Sequence, residues 1–156
     1  MNKTAISLAL AGMAAMPAIG QAREINLSTT LKDYRGNEAY LAIYVTDAQG
    51  AYQRTLWVAG KKAKYYKHLR DWVQGGGSKP AEFDGLTGAS VGGGETLEVA
   101  VELEDALIDA GYEIRIDSAV EDKRDNRGEI KVPLTQQATT VNGGGQGYVD
   151  SFSYHF

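Results

Sequence analysis

The sequence has no cysteine, only 2 histidines and only 3 prolines among its 156 residues. Without thiols there can be no disulfide, iron–sulfur cluster, thiolate zinc site or covalently attached haem. Packing alone must therefore stabilise the chain, and any redox role requires a different cofactor. His68 and His155 are far apart and lie in no ligand motif, so no metal site is expected and both are read as surface residues. The acidic stretch from Asp117 to Asp125 lacks the glycine and alternating oxygen ligands of a calcium loop, and reads as a hydrated strand end and turn. Long basic runs are missing as well: the formal net charge is −4, which disfavours nucleic acid as a partner. No Ser-His-Asp or paired-carboxylate arrangement has supporting context, so no catalytic residue is assigned and an independent hydrolase is disfavoured.

Long apolar runs are absent except at the start. Met1-Asn2-Lys3 is a short positive region, Thr4 to Met16 is apolar, and Gly20-Gln21-Ala22 has the small-x-small form of a cleavage site. This pattern predicts a signal peptide over residues 1–22, removed after Ala22, because the apolar stretch is too short to span a bilayer and is closed off by Pro17 and Gly20. Residues 23–156 are then expected to form one exported domain, outside the cytoplasm.

What is present is chiefly alternation. Ile25, Leu27, Thr29 and Leu31 keep the two-residue period of a half-buried strand, as do Leu97, Val99, Val101 and Leu103, then Tyr112, Ile114 and Ile116. Ile130, Val132 and Leu134 repeat it, and Phe152, Tyr154 and Phe156 give an aromatic version. Tyr40 to Val45 is almost wholly apolar, as a central strand would be. It runs into the turn Asp47-Ala48-Gln49-Gly50 and returns through Gln53 to Val58, a hairpin. Tyr65, Leu69, Trp72 and Val73 have helical spacing instead, predicting a short amphipathic helix over about Lys62 to Val73. Short strands with frequent turn signals and one inserted helix predict an all-β fold, an immunoglobulin-like antiparallel β-sandwich. An α/β fold would need repeated crossover helices.

Triple glycines at 75–77, 92–94 and 143–145 are expected to be flexible connections, and the first two bracket the segment from Ser78 to Val91. Within it lies Asp84-Gly85-Leu86-Thr87-Gly88-Ala89-Ser90. This segment resembles the recognition sequence of the bacterial ApbE-type FMN transferases, of pattern D-x-x-S/T-G-A-S/T. In proteins bearing that sequence, FMN is joined by a phosphodiester to the last hydroxyl residue, which implies Ser90 here, with Thr87 as the alternative hydroxyl. The chemistry suits the spelling. An alcohol is a poor nucleophile until activated, so the segment must enter another protein's active site. Gly88 and Ala89 allow close backbone approach, and Asp84 and Thr87 are suited to fixing a turn through side-chain hydrogen bonds to backbone. The bland reading is a surface turn capped by Asp84, but a chance match at five constrained positions has a probability of roughly one in a thousand.

A second resemblance covers most of the chain. The hairpin from Tyr40 to Asp47, Arg54-Thr55-Leu56-Trp57, Tyr65-Tyr66, Leu69-Arg70-Asp71-Trp72 and Thr87-Gly88-Ala89-Ser90 together resemble the predicted periplasmic proteins of domain-of-unknown-function family 2271. That family is associated with FMN transferases and PepSY-type membrane proteins, implying electron transfer between membrane and periplasm. Two departures stand out. Ser90 replaces the usual Thr, and Glu102-Leu103-Glu104-Asp105 replaces a WDG-type turn.

The resulting expectation is a periplasmic flavoprotein carrying covalent FMN on Ser90, an electron carrier more than an independent catalyst, with an FMN transferase and a PepSY-type protein as partners. Trp57, Tyr65, Tyr66 and Trp72 are candidates to flank the flavin ring, although helical spacing equally fits core packing for Tyr65 and Trp72. Arg54 and the lysines at 61, 62, 64 and 67 are candidates for the phosphate, against the simpler reading of a solvated basic face. The alternative function is a non-redox binding or assembly module whose loop is never modified.

Overall fold

The computed structural model describes residues 20–156, so the expected signal peptide lies outside the described residues except for Gly20, Gln21 and Ala22. Among the described residues there are nine strands in chain order: β1 Ala22–Leu31, β2 Tyr40–Thr46, β3 Tyr52–Ala59, β4 Thr87–Gly88, β5 Thr96–Glu104, β6 Glu113–Ala119, β7 Asn126–Pro133, β8 Thr139–Asn142 and β9 Val149–His155. They form a four-stranded sheet of order β5-β1-β9-β8 and a five-stranded sheet of order β4-β3-β2-β6-β7. All pairings are antiparallel except that of the two-residue β4, which runs parallel to β3.

The alternation read from the sequence is what closes the sandwich. Ile25, Leu27 and Leu31 of β1 meet Leu41, Ile43 and Val45 of β2, Ile114 and Ile116 of β6, and Phe152 and Tyr154 of β9 in one core between the sheets. The hairpin turn is also as expected: Gly50 has φ of 85°, and Asp47 and Ala51 are joined by a backbone hydrogen bond of 2.9 Å.

A third layer explains the unbroken apolar run of β2. Its alternate residues Ala42 and Tyr44 face away from the sandwich core and join Val58, Tyr66, Leu69, Trp72 and Ala119 in a second buried cluster. Helical turns from Ala63 to Phe83 cover that face. They are not the single helix expected over Lys62 to Val73. Ala63–His68 is a 3-10 helix, Leu69 leaves helical geometry at φ −88°, ψ 73°, and only Arg70–Gln74 (α1) is α-helical, followed by the four-residue α2, Pro80–Phe83. Tyr66, Leu69 and Trp72, spaced by three, become the buried residues. Only Tyr66 lies in the 3-10 turn; the break at Leu69 re-aims the chain so that Trp72 of α1 comes onto the same buried side.

Gly75 and Gly77 are packing positions and Gly76 takes a left-handed φ of 98°, in place of the expected flexible connection. A Cβ at Gly77 would stand 2.1 Å from Trp72 Nε1, and one at Gly75 would stand 2.5 Å from Tyr52 Cβ. Trp72 is fully buried because the backbone can lie directly against its ring, and Nε1 donates to Thr55 Oγ1 at 2.9 Å.

Candidate functional site

The segment Asp84–Ser90 is held at the edge of the five-stranded sheet. Gly85 takes a left-handed φ of 74° to turn the chain out of α2, and Leu86 and Gly88 then accept hydrogen bonds of 2.8 Å from Val58 N–H and Gly60 N–H. Past the segment, Val91 exchanges two backbone hydrogen bonds with Ala39, at 2.6 and 3.0 Å, and buries its side chain in the sandwich core. Both ends are pinned by ladders, while Asp84, Gly85, Thr87 and Ala89 are exposed. Ser90 itself is half-buried.

Register decides where each side chain points. Thr87 pairs with Val58, whose side chain is in the outer cluster, and Gly88 pairs with Ala59, whose side chain is in the sandwich core. Gly88 therefore faces inward, onto Trp57: a Cβ there would stand 2.7 Å from Trp57 Cζ2. The indole is wedged tightly enough that its buried Nε1 has no hydrogen-bond partner among the described residues. Gly88→Ala must displace a ring that packs against the core, so it should cost about 1–3 kcal/mol of stability and shift the Trp57 fluorescence maximum. Denaturant titration followed by tryptophan emission checks both.

Ser90 precedes the inward-facing Val91, and its hydroxyl donates to Glu38 Oε2 at 2.5 Å. A hydroxyl held this close to a carboxyl oxygen is in the range of strong hydrogen bonds. No sequence signal marks Glu38. It lies 52 positions from Ser90, and only the bridge between Ala39 and Val91 brings the two together.

Glu38 also lines a cleft of about 410 Å³ with Asn37, Tyr40, Tyr65, His68, Val120 and Lys123 among its walls. Tyr40 and Tyr65 meet edge to face, centroids 5.6 Å apart at 83°. Thr87 instead borders a smaller, shallower hollow of about 280 Å³ against α2, with Pro80, Phe83 and Asp84. The two hydroxyls of the motif thus have different surroundings, and only the Ser90 hydroxyl is held by a carboxylate.

The four aromatic residues expected around a flavin ring separate. Trp72 and Tyr66 are core residues, 0% and 4% exposed, so neither has a face to offer. The Tyr66 hydroxyl donates to Gly60 O at 2.8 Å, which secures the ring inside the outer cluster. Trp57 supports Gly88 from beneath, and only Tyr65 is both partly exposed and on the cleft. Arg54 is engaged with Glu104 at 2.5 Å, and Lys61, Lys62, Lys64 and Lys67 form an exposed face. His68 is half-buried, its Nδ1 lying 3.2 Å from Asp125 Oδ2, whereas His155 is exposed.

Asp117 departs from the reading of its stretch as a hydrated strand end and turn, because it is fully buried in β6, whereas Glu121, Asp122 and Lys123 beyond the strand end do form an exposed turn. Its carboxyl accepts the Tyr44 hydroxyl at 2.9 Å, Trp72 N–H at 2.9 Å and Gly128 N–H at 2.7 Å. Burial pushes the Asp117 carboxyl above the usual carboxylate range, against those three donors, which lower it. Burial and the neighbouring Asp117 likewise push the Tyr44 phenol far up. Tyr52, whose hydroxyl reaches Glu82 at 2.9 Å, is raised to about 12, mainly by burial.

Among the described residues no group of three or more His, Asp or Glu is arranged to hold a metal ion, and no helix is long and apolar enough to cross a membrane. No curated protein and no solved structure matches the chain. A family model does, over residues 22–151. The chain belongs to DUF2271, a family of predicted periplasmic proteins.

Proposed function

We propose that this protein is a periplasmic electron carrier, exported through a signal peptide over residues 1–22 and bearing FMN covalently joined to Ser90 by an FMN transferase. The observation that carries the reading is the Asp84–Ser90 motif displayed on an exposed sheet edge with the Ser90 hydroxyl bonded to Glu38 at 2.5 Å. Bound flavin would supply one- and two-electron chemistry that no side chain of this cysteine-free chain has.

The residues present fit such a group. Ser90 Oγ is the point of attachment, and Glu38 orients it and takes its proton. In that step the Oγ–P bond forms as the P–O bond to the leaving group of an activated phosphoryl donor, held by the transferase, breaks. Gly88 can carry no side chain without striking Trp57, and the exposed Ala89 is small, so a second protein's active site can close over the strand. Lys123, lying against Gly36 at the rim of the cleft, is a cation near the tether. A PepSY-type membrane protein as redox partner is drawn from the family resemblance.

The test is the intact mass of the protein exported by a host with an active FMN transferase. The expected result is the mass of the chain from Arg23 onward plus one FMN-phosphoryl group, with yellow colour that survives denaturation. An unmodified mass beside an active transferase sinks the carrier reading and leaves the non-redox binding module.

A further inference from the structure

We infer that the cleft between Tyr40, Tyr65, Val120 and Lys123 is the seat of a planar fused aromatic ring, the isoalloxazine of the flavin attached at Ser90. This rests on the proposed function and names where the ring goes.

Three observations converge on the cleft. Position comes first: Glu38 both accepts the Ser90 hydroxyl, at 2.5 Å, and forms part of the cleft wall, so the tether starts at its rim. Capacity is the second, since about 410 Å³ lies within the range of roughly 300–1,000 Å³ typical of small-molecule sites. The third is the lining. Tyr40, Tyr65, Ala119 and Val120 give apolar and aromatic lining, and Asn37, Glu38, His68, Glu121, Asp122 and Lys123 give polar groups. A ring with one polar edge and apolar faces needs a lining that mixes both kinds. Tyr65 is the aromatic wall open to a ligand, because it is only half-buried and holds no core position, unlike Tyr66 beside it, and Lys64 Nζ lies 4.9 Å from its ring centroid. The hollow by Thr87 is a poorer seat: it is smaller, and its one aromatic side chain, Phe83, is committed to Tyr66 and Trp72 at 5.3 and 6.0 Å.

A short tether raises the local concentration of the ring to the millimolar range, so even weak stacking keeps it seated. Flavin stacked on a tyrosine loses fluorescence. The loaded protein should therefore emit several-fold less than free FMN at equal absorbance, and Tyr65→Ala and Tyr65→Phe should both restore several-fold emission. Quenching is electron transfer from the phenol to the excited flavin, and a phenyl ring cannot donate. Covalent flavin that fluoresces like free FMN and ignores Tyr65→Ala overturns this inference and leaves attachment at Ser90 standing. A second arm needs no attached flavin. Free FMN at millimolar concentration is titrated into isotope-labelled Ser90→Ala protein, and amide shifts are expected at 37–40, 65 and 119–123. Shifts confined to 80–87, or none, overturn the inference. If the exported wild-type chain is unmodified, the proposed function fails and this titration alone decides the cleft.

Discussion

Ser90→Ala should abolish covalent flavin completely: under conditions that load the wild-type chain, the variant's intact mass should be that of the bare polypeptide. The effect is all-or-none because the phosphodiester needs the oxygen, and no repacking replaces it. The substitution should scarcely touch the fold, since Ser90 is only half-buried and the neighbouring ladder, Ala39 with Val91, is made by backbone. Glu38→Gln separates placement from proton removal. An amide still accepts the hydroxyl's hydrogen bond but is a far weaker base, so the initial rate with purified transferase should fall on the order of 100-fold while the final mass stays the same. Thr87→Ala should load more slowly and still yield the adduct on the peptide containing Ser90. An adduct that persists in Ser90→Ala, or a fragment spectrum placing it on Thr87, removes Ser90 as the tether.

The sandwich was legible in the sequence because a strand with one buried face writes its own period. Every apolar position of β1 and of β7 that alternates in the sequence is buried. The outer layer was less legible. Tyr65, Leu69, Trp72 and Val73 fit a helix by spacing, yet Tyr66 and not Tyr65 is the core residue, because the 3-10 turn carries Tyr66 onto the buried side and the break at Leu69 brings Trp72 there as well. The motif from Asp84 to Ser90 could be read letter by letter, and its exposure with it. Its partners could not. Glu38 meets Ser90 only through a bridge between distant segments, and Trp57 meets Gly88 only through a parallel pair of two residues. Contacts of that kind depend on sheet register, which local pattern does not encode. The same limit hid Asp117: alternation after Ile114 and Ile116 turns it away from the sandwich core, and it is buried only because Tyr44 and Trp72 of the outer layer close over that face of β6.

Asp117→Ala should destabilise the protein by about 3–5 kcal/mol, since each buried donor left without an acceptor costs roughly 1–3 kcal/mol. Three donors depend on this carboxyl, and they come from separate parts of the fold. The Tyr44 hydroxyl belongs to β2, Gly128 N–H to β7, and Trp72 N–H to the first turn of α1. The last matters most for the outer layer. A helix start needs acceptors for its free N–H groups, and Leu69 at the N-cap offers none from its side chain. Asp117 supplies one from the strand below, and with it docks Trp72 on the sheet. Asp117→Asn is the sharper comparison. Its carbonyl can still accept Tyr44 and Gly128, but its amide nitrogen then faces Trp72 N–H, donor against donor, so the loss should be smaller and concentrated in the outer layer. Hydrogen exchange should show α1 opening before the sandwich strands in Asp117→Asn and together with them in the wild type. The pH dependence has a definite sign. Because the folded carboxyl titrates above its unfolded value, its contribution is fully present below the unfolded pKa and is lost as pH rises through the folded one. The stability gap between wild type and Asp117→Asn should therefore be widest in acid and narrow toward neutral pH. Chemical denaturation at several pH values measures it, and a gap that widens with rising pH would mean that the three hydrogen bonds outweigh burial and hold the carboxyl ionised.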